Sequence, residues 1–316
     1  MKNKSILILG GTGALGNTLT KRYVSENEII IFSRDEHKQV NMKQKFPNVI
    51  YQIGDVKDRD SILQCLNEYK PNIVINTAAL KHVPICEDNP YESVKTNIIG
   101  HKNLIDCVNL SKHQIETLMF ISTDKACKPI NVYGMCKAIS ERLYIDYANK
   151  QDDIKVVLCR YGNVLESTGS VIPFFKGLLD KGNESLPITD KRMTRFLISL
   201  EESVDLIEWS YNHPNSHGNI VVPKLESLMV TDLATELGKS YGHTDINLDY
   251  VGIRPGEKIH EEMVSLEESL RTDEYDKYFM ITDEVKNEDA WSFASNTVIM
   301  DYDKVNDFLK SKGVID

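Results

Sequence analysis

The expected fold is decided by one stretch near the N-terminus. Four apolar residues lead directly into a glycine-rich run, in the sequence Ile6-Leu7-Ile8-Leu9-Gly10-Gly11-Thr12-Gly13-Ala14-Leu15-Gly16. The apolar residues predict a buried strand, and the residues from Leu15 onward predict a helix. Glycines at this junction permit a tight turn and close approach to a pyrophosphate, which the N–H groups of the helix N-terminus can bind. The stretch therefore predicts a dinucleotide-binding fold.

The first half of the chain continues this alternation of strand and helix. Short runs rich in Ile and Val are typical of parallel strands buried on both faces. They are Ile6–Leu9, Ile29–Phe32, Val49–Ile53, Ile73–Ile75, Leu118–Ile121 and Val156–Leu158. The segments of helix length between them are Leu15–Ser25, Glu36–Lys45, Arg59–Tyr69, Pro90–Ser111 and Val132–Asn149. This order predicts an α/β fold, a Rossmann-type doubly wound parallel sheet with right-handed crossovers.

The second half has a different pattern, because glycine and proline separate shorter elements beyond about residue 160. Helices are predicted at Ser203–Tyr211 and Thr231–Lys239, and a strand near Ile246–Val251. The charged stretch Glu267–Asp289 is predicted to be a solvated surface segment. We expect residues 1–165 to form the nucleotide-binding domain, with some later segments crossing back to it. Residues 166–316 are expected to form a smaller substrate-binding region and a C-terminal tail.

Composition and charge exclude several classes of protein. The chain has 316 residues and a net charge of −10, which argues against non-specific nucleic-acid binding. It has no apolar run approaching the ~18 residues of a membrane span. A signal peptide would need a longer apolar region and a small-residue cleavage site, so we interpret the N-terminal residues as a first strand. The six cysteines lack metal-ligand spacing, so we expect no metal site. We predict a soluble, cytoplasmic protein with reduced thiols.

The end of the predicted second strand bears on which dinucleotide binds. An NAD enzyme usually places a carboxylate there to accept hydrogen bonds from the ribose hydroxyls. Here Ser33 and Arg34 offer donors and a positive charge, which suit the 2′-phosphate of NADP. Asp35 follows directly, so a strand end shifted by one residue favours NAD instead. We expect NADP and keep NAD as the alternative.

A second stretch, Ser122–Lys137, concentrates reactive side chains after the predicted strand Leu118–Ile121. Tyr133 and Lys137 are four residues apart, so both point to one side of the helix expected there. An ammonium beside a phenol favours the phenolate, and a lower phenol pKa makes it a more useful base. The Thr123 hydroxyl can share the substrate oxygen. These residues form a candidate site for oxidation of an alcohol.

Asp124 and Lys125 are adjacent within that stretch. On a surface such a pair contributes little to stability, but in a cleft it becomes an acid and a base whose pKa values depend on each other. Removing the hydroxyl from carbon 6 of a sugar needs a base for the hydrogen on carbon 5 and an acid for the departing water. Oxidation at carbon 4 makes that hydrogen acidic. The pair therefore favours a sugar dehydratase.

The chain resembles the extended short-chain dehydrogenase/reductases and, within them, the inverting UDP-N-acetylglucosamine 4,6-dehydratases. The resemblance covers most of residues 5–265 and implies a Rossmann-type domain with a smaller C-terminal substrate-binding domain. The motifs that carry it are Gly10–Gly16, Phe32-Ser33-Arg34-Asp35, Ala79-Leu80-Lys81-His82-Val83-Pro84, Lys95-Thr96-Asn97, Ser122–Ala126, Pro129–Gly134, Arg160–Val164, Gly169–Phe175, Pro187–Asp190, Arg192–Phe196 and Ile253–Lys258.

The resemblance implies a mechanism in three steps. Tyr133, aided by Lys137 and Thr123, is the base while a bound nicotinamide takes hydride from carbon 4. Lys125 removes the carbon-5 proton while Asp124 protonates the leaving hydroxyl on carbon 6. Hydride then returns to carbon 6, and a proton reaches carbon 5 from the face that inverts it. The implied product is UDP-2-acetamido-2,6-dideoxy-β-L-arabino-4-hexulose, and NADP is regenerated in each turnover.

The motifs and the resemblance together give a set of expected site residues. Those expected to bind the cofactor are Gly10, Thr12, Gly13, Ala14, Leu15, Gly16, Ser33, Arg34, Asp35, Lys38, Asp55, Val56, Thr77, Ala78, Ala79, Lys81, Ser122, Tyr133 and Lys137. Those expected to bind the UDP-sugar substrate, UDP-N-acetylglucosamine, are Lys81, Asn163, Val164, Arg195, Arg254 and Glu257. Arginine in particular suits a diphosphate, because its guanidinium can bind two oxygens at once.

Two details of the sequence bear on the resemblance. Retaining, membrane-anchored relatives carry methionine where this chain has Tyr133, so the tyrosine favours the inverting group. The family pattern before Gly169 usually reads Gly-Ser-Arg, whereas this chain has Glu166-Ser167-Thr168. A lost arginine and a gained carboxylate beside a diphosphate are expected to alter substrate affinity. The resemblance also implies a homo-oligomer, either a dimer or a hexamer.

Other functions stay open at this point. A UDP-sugar 4-epimerase of the same fold uses the cofactor and Tyr133, but its reaction does not require Asp124 and Lys125. A retaining 4,6-dehydratase differs in the configuration it leaves at carbon 5. A non-catalytic NADP-binding regulatory protein keeps the fold without turnover, but such proteins commonly lose the tyrosine or the lysine, and both Tyr133 and Lys137 are present here.

Overall fold

Strands and helices alternate through the first half of the chain in the computed structural model, which describes residues 1–165, 167 and 169–316. They are β1 (Ser5–Leu9), α1 (Ala14–Tyr23), β2 (Glu28–Ser33), α2 (Glu36–Lys45), β3 (Ile50–Ile53), α3 (Arg59–Tyr69), β4 (Ile73–Asn76), α4 (Val83–Asp88), α5 (Pro90–Val94), α6 (Gly100–Leu110), β5 (Thr117–Thr123), α7 (Val132–Ala148) and β6 (Lys155–Tyr161). The π-helical turn Lys95–Ile99 divides the helix predicted over Pro90–Ser111, and a 3₁₀ turn, Asp124–Ala126, follows β5.

The second half contains shorter elements. They are β7 (Asn163–Val164), α8 (Val171–Leu179), β8 (Ser185–Ile188), β9 (Thr194–Ile198), α9 (Leu200–Asn212), β10 (Ile220–Pro223), β11 (Ser227–Met229), α10 (Val230–Ser240), β12 (Asn247–Tyr250), β13 (Glu262–Val264), α11 (Leu266–Ser269), β14 (Thr272–Glu274), β15 (Tyr278–Ile281), β16 (Phe293–Ala294) and α12 (Tyr302–Ser311). The helices α9 and α10 and the strand β12 coincide with the elements predicted for this half.

The main sheet has the strand order β14-β15-β10-β6-β5-β4-β1-β2-β3. Neighbouring strands from β10 to β3 are parallel, whereas β15 pairs antiparallel with both β10 and β14. Every residue of β4 and β5 is buried, as expected of strands covered on both faces. The predicted α/β fold with a doubly wound, mostly parallel sheet is confirmed.

The strand order reverses between β1 and β4. From β1 the chain proceeds outward to β2 and β3, and it then crosses to β4 and continues outward through β5 and β6. In open parallel sheets, ligands bind outside the carboxyl ends of the strands at such a reversal. Gly10 follows β1 at this edge, and Thr77 and Asp124 follow β4 and β5. The topology thus brings the two motif-rich stretches of the sequence to one place.

The stretch Glu267–Asp289, predicted to be a solvated surface segment, instead completes one edge of the main sheet. All four residues of β15 are buried, and β14 pairs with β15 on its outer side. Alternate residues of β15 belong to the hydrophobic clusters on opposite faces of the sheet. The prediction was wrong because flanking charged residues conceal the apolar run Tyr278–Ile281.

A further hydrophobic cluster lies outside the main sheet, among α8, α10, α12 and the short strands beside them. Leu186 and Ile188 of β8, Leu237 of α10 and Leu309 of α12 are fully buried in it. This cluster is the core of the smaller C-terminal part. The strands β10, β14 and β15 come from the second half of the chain but join the main sheet. The domain boundary at residue 165 stays a prediction.

A buried ion network joins the strand and helix that carry the candidate chemical site to the C-terminal part. Arg160 of β6 is 1% exposed, and its guanidinium donates to both oxygens of Glu141 on α7, at 2.7 and 2.9 Å. It also donates to both oxygens of Glu268 on α11, each at 2.8 Å. Burial disfavours the charge of Glu268, but Arg160 outweighs it and lowers the pKa of Glu268 to about 2. Ser122 of β5 donates to Glu141 at 2.6 Å.

Arg160→Met leaves Glu141 and Glu268 buried without their cation, so we expect the free energy of unfolding to fall by about 3–5 kcal/mol. Urea denaturation measures the loss. Arg22→Met is the control, because Arg22 is exposed and pairs with Asp205 at 3.0 Å on the surface; we expect a change of about 1 kcal/mol or less. Equal losses in the two variants would contradict a stabilising role for the buried network.

Candidate functional site

A cavity of about 680 Å³ lies at the carboxyl ends of β1, β2, β4 and β5. All of the residues predicted to bind the cofactor line it. So do Thr123, Lys125, Tyr133 and Lys137 from the predicted catalytic set. The fold therefore brings the glycine-rich run and the reactive stretch together, as the topology requires. The individual binding and catalytic roles stay predictions.

The glycine-rich turn between β1 and α1 forms one wall of the cavity. Gly10 has a φ of +71°, and a Cβ there would come within 2.7 Å of the Ala78 Cα. A Cβ at Gly16 would come within 2.2 Å of the Gly11 carbonyl oxygen. Side chains at these positions would force the helix away from the strand. The turn and the start of α1 together make a cradle that fits the pyrophosphate of a dinucleotide.

The polar residues after β2 line the part of the cavity where an adenosine ribose is expected. Since β2 ends at Ser33, both Arg34 and Asp35 follow it. Asp35 caps α2 by accepting a hydrogen bond from the Lys38 backbone N–H at 3.0 Å, and this bond lowers the pKa of Asp35. The side chains of Arg34 and Lys38 are exposed. Arg34 Nη1 lies 3.8 Å from Asp55 Oδ2, and Lys38 Nζ lies 3.5 Å from Asp35 Oδ2, so an anionic ligand would meet two exposed cations that already pair with carboxylates.

Tyr133 and Lys137 lie at the start of α7, on the side that faces the cavity. Burial raises the pKa of Tyr133 to about 12, and the charge of Lys125 acts in the opposite direction. Burial lowers the pKa of Lys137 to about 7, and its Nζ donates to the Ile121 carbonyl oxygen at 2.7 Å. The charge of Lys125 therefore favours the phenolate form of Tyr133. The helical spacing of Tyr133 and Lys137 does not indicate this effect.

The Lys125 ammonium is at the centre of a polar cluster beside the cavity. Its Nζ lies 3.1 Å from Asp124 Oδ1, 3.0 Å from Asn163 Oδ1 and 3.3 Å from Glu261 Oε1. Thr123 Oγ1 donates to the same Asp124 oxygen at 2.8 Å. Burial opposes the charge of Lys125, but Asp124 and Glu261 outweigh it and raise the pKa of Lys125. The predicted acid and base are therefore in direct contact, with Asp124 buried and Lys125 partly exposed to the cavity.

Asp124 is fully buried, and burial raises its pKa. The negative charge of Glu261 acts in the same direction, while Lys125 opposes it. Asp124 Oδ2 has no hydrogen-bond partner among the described residues. A carboxyl with a raised pKa retains its proton more readily, as a general acid must. Asp124 is not among the described residues that line the cavity, which it meets through its neighbours Thr123 and Lys125.

Glu261 is a member of the Lys125 cluster that the sequence does not reveal. It stands between two other polar residues, His260 and Glu262, just before β13. No local pattern distinguishes it from its neighbours. The nearest signal is its position shortly after the motif Ile253–Lys258. Its contact with Lys125 arises from tertiary folding alone.

The predicted substrate-binding residues fall into two groups. Lys81, Asn163 and Val164 line the cavity. Of the stretch Glu166-Ser167-Thr168, in which the family pattern is broken, Ser167 lines the cavity, and residues 166 and 168 lie outside the described part of the chain. The expected effect of that stretch on substrate affinity stays a prediction.

The second group consists of Arg195, Arg254 and Glu257, which are not among the described residues lining the cavity. Arg195 is buried and donates to three backbone carbonyl oxygens at 2.7, 3.1 and 2.9 Å. Arg254 is exposed and donates to Glu257 at 2.7 Å. Binding of a diphosphate by these arginines would need them to turn toward the cavity, and their substrate roles stay predictions.

The described residues contain no group of His, Cys, Asp and Glu side chains that could hold a metal ion. The described helices also include none that is both long and apolar enough to cross a membrane.

The chain matches a known protein family over most of its length. Residues 6–283 match the family described as polysaccharide biosynthesis protein. A UDP-N-acetylglucosamine 4,6-dehydratase (inverting) from Campylobacter jejuni subsp. jejuni serotype O:2 is 43% identical over 292 residues, which cover 90% of this chain and 84% of the relative. A UDP-glucose 4-epimerase from Rickettsia rickettsii is 39% identical over 289 residues, which cover 88% of this chain and 83% of the relative.

Solved structures share the fold. The X-ray structure of Pen from Bacillus thuringiensis has a TM-score of 0.90 to this chain at 29% identity, with 99% of both chains covered. DesIV, a dTDP-glucose 4,6-dehydratase from Streptomyces venezuelae, has a TM-score of 0.71 at 19% identity, with 81% of this chain and 86% of DesIV covered. The resemblance to the inverting UDP-N-acetylglucosamine 4,6-dehydratases is confirmed by the relative that is 43% identical. With its Rossmann-type sheet and a family match over residues 6–283, this chain belongs to the polysaccharide biosynthesis protein family.

Proposed function

We propose that this protein is a UDP-N-acetylglucosamine 4,6-dehydratase that inverts carbon 5 of the sugar. The proposal is carried by the contact of 3.1 Å between Lys125 Nζ and Asp124 Oδ1, beside the cavity that Tyr133 lines. Dehydration needs a base and an acid close together. Epimerisation at carbon 4 needs neither. The inverting dehydratase that is 43% identical to this chain supports the same conclusion.

NADP fits the nucleotide half of the cavity. Gly10 and Gly16 leave room for the pyrophosphate, and Arg34 and Lys38 offer cations to a 2′-phosphate. When bound, the dinucleotide would supply the chemistry of taking a hydride from the sugar and giving it back. The residues of this chain hold it, orient the sugar and move the protons.

Tyr133 and Thr123 act on the carbon-4 hydroxyl of the sugar. The Tyr133 phenolate takes the hydroxyl proton, and the charge of Lys125 favours that phenolate. Thr123 Oγ1 holds the same oxygen in place. Oxidation of this carbon to a ketone makes the hydrogen on carbon 5 acidic, so that the next proton transfer becomes feasible.

Lys125 and Asp124 then carry out the elimination. A proton shift along their hydrogen bond converts ammonium and carboxylate into amine and carboxylic acid without changing the net charge. Burial favours this neutral pair, whereas the charge of Glu261 favours the ammonium. The amine takes the carbon-5 proton, and the electrons of that bond form the double bond to carbon 6. Asp124 gives its proton to the departing hydroxyl, which leaves as water. The pair ends as ammonium and carboxylate.

Lys125→Ala is expected to slow dehydration of UDP-N-acetylglucosamine by about 10²–10⁴-fold, because it removes the base for carbon 5. NMR of the reaction in D₂O follows the loss of the carbon-6 hydroxyl. The configuration of the deuterium-labelled carbon 5 separates inversion from retention. Binding of NADP to Lys125→Ala, measured by calorimetry, should persist, because the glycine-rich turn is unaltered.

Lys128→Ala is the matched control, since Lys128 is exposed and pairs with Glu262 at 3.1 Å. It should dehydrate the sugar at the parent rate. A product with the galacto configuration from the parent protein would indicate a 4-epimerase instead. Unchanged substrate would contradict the proposal that the protein is an enzyme acting on this sugar. Parent-rate dehydration by Lys125→Ala would refute the role given to Lys125.

Arg34→Ala is expected to weaken NADP binding by about tenfold or more, because a charge-assisted contact to the 2′-phosphate is lost. Binding of NAD should change little, since NAD lacks that phosphate. Fluorescence titration with each dinucleotide measures both affinities. Lys43→Ala removes an exposed cation from α2, the helix that follows Arg34, and serves as the control. Equal weakening of NADP and NAD by Arg34→Ala would count against NADP as the cofactor.

We expect the enzyme to be a homo-oligomer, either a dimer or a hexamer. Met135 and Ile139 of α7 are each 48% exposed, and Ile85 of the adjacent α4 is 52% exposed. We expect the subunits to meet at the exposed apolar side chains of these two adjacent helices. Light scattering should give two or six times the chain mass of 36.0 kDa, and Ile139→Glu should lower it. A parent mass of 36.0 kDa would contradict the oligomer.

A further inference from the structure

We propose that Glu261 is a positioning residue for the elimination. Its carboxylate holds the Lys125 amine in place and stabilises the positive charge that forms on it when it takes the carbon-5 proton. The inference rests on the dehydratase function proposed above. Glu261 is not among the described residues that line the cavity, so it acts through Lys125.

The backbone around Glu261 is held by hydrogen bonds on both sides. Its N–H donates to Ser295 Oγ at 2.9 Å, and the Ser295 N–H donates to the Glu261 carbonyl oxygen at 2.7 Å. Ser295 Oγ is also 2.6 Å from Thr194 Oγ1. Side chains supported in this way keep a defined geometry. The distance of 3.3 Å between Glu261 Oε1 and Lys125 Nζ is therefore fixed by the surrounding hydrogen bonds.

Glu261 is poorly placed to stabilise the fold. It is 3% exposed, and a buried carboxylate is costly unless both its oxygens are satisfied. Its Oε2 has no hydrogen-bond partner among the described residues, and Lys258 Nζ lies 3.9 Å away. Lys258 itself donates to the Cys127 carbonyl oxygen at 2.7 Å. The interaction of Glu261 with Lys125 explains why a carboxylate is buried at this position, which its other contacts do not explain.

The charged groups around Lys125 affect the pKa values of Asp124 and Glu261 differently. Burial disfavours the charge of Glu261, but Lys125 and Arg195 outweigh it and lower the pKa of Glu261. The pKa of Asp124 is raised by burial. Glu261 therefore keeps the negative charge, and Asp124 is free to carry the proton. Arg195 opposes the charge of Lys125, and the charge of Lys125 also acts on Tyr133.

This division suits the elimination. When the amine takes the carbon-5 proton, an ammonium forms next to a carboxylate that is already charged and already in place. Fixed charges of this kind stabilise a transition state without reorganisation during the reaction. The carboxylate of a serine-protease triad acts in the same way on its histidine. A nearby negative charge also raises the pKa of the amine, which makes it a stronger base.

The substitution Glu261→Gln tests the proposal, because it keeps the shape of the side chain and removes its charge. Labelling of Lys125 with acetic anhydride over a range of pH, read by mass spectrometry, reports the amine pKa without turnover. Lys125 of Glu261→Gln is expected to become reactive at a lower pH than in the parent. Glu261→Asp, which keeps the charge, should stay closer to the parent. The same reactive pH in Glu261→Gln and the parent would overturn the proposal.

Turnover supplies the second measurement. Glu261→Gln should dehydrate UDP-N-acetylglucosamine roughly 10–100-fold more slowly, a part of the 10²–10⁴ that a general base supplies. The acid limb of its pH–kcat profile should also move to lower pH. Glu262→Gln, beside it in the chain and paired with Lys128, is the matched control and should behave as the parent.

The outcomes separate this proposal from the function on which it rests. Parent-rate dehydration and an unmoved acid limb in Glu261→Gln would overturn the role of Glu261 and leave the dehydratase intact. A parent protein that fails to dehydrate the sugar, yet shows the expected difference in Lys125 labelling, would overturn the function and support the contact between Glu261 and Lys125.

Discussion

The paired contacts of the Arg160 guanidinium are the interaction on which the geometry of the site depends. Arg160 joins β6 to α7 through Glu141 and to α11 through Glu268, and it also donates to the Met263 carbonyl oxygen at 2.9 Å. The helix α7 carries Tyr133, and Met263 follows Glu261 by two residues. One buried cation thus sets the position of a catalytic helix and of the segment that reaches Lys125.

A buried ion network is an expensive way to stabilise a fold, since apolar residues of similar volume often do as well. Its advantage is geometric. A guanidinium that meets two carboxylates with paired hydrogen bonds fixes distance and direction, whereas apolar contacts tolerate sliding. Chemistry at adjacent sugar carbons needs groups placed to within a fraction of an ångström. The network fits a need for alignment better than a need for stability, and its contact with the Met263 carbonyl oxygen holds the segment that carries Glu261.

The parts of this architecture that depend on local order could be predicted from the sequence. The glycine spacing and the alternation of strands indicate the sheet, and the spacing of Tyr133 and Lys137 indicates a shared helix face. Glu261 could not be found, because only tertiary folding brings it to Lys125. The buried strand Tyr278–Ile281 was missed because its apolar run is short and its neighbours are charged. Local periodicity carries no information about such distant pairings.

The fold alone does not distinguish a dehydratase from an epimerase, since relatives named as each are about 40% identical to this chain. What separates the two reactions is whether a proton can leave carbon 5 while another reaches the oxygen on carbon 6. We propose that one lysine between two buried carboxylates meets that need, because the carboxylates differ: burial raises the pKa of Asp124, whereas Lys125 and Arg195 lower the pKa of Glu261. A lysine with a single carboxylate would need that one group both to balance its charge and to supply the acid. In the mechanism that we propose, Glu261 balances the charge, and Asp124 can act as the acid.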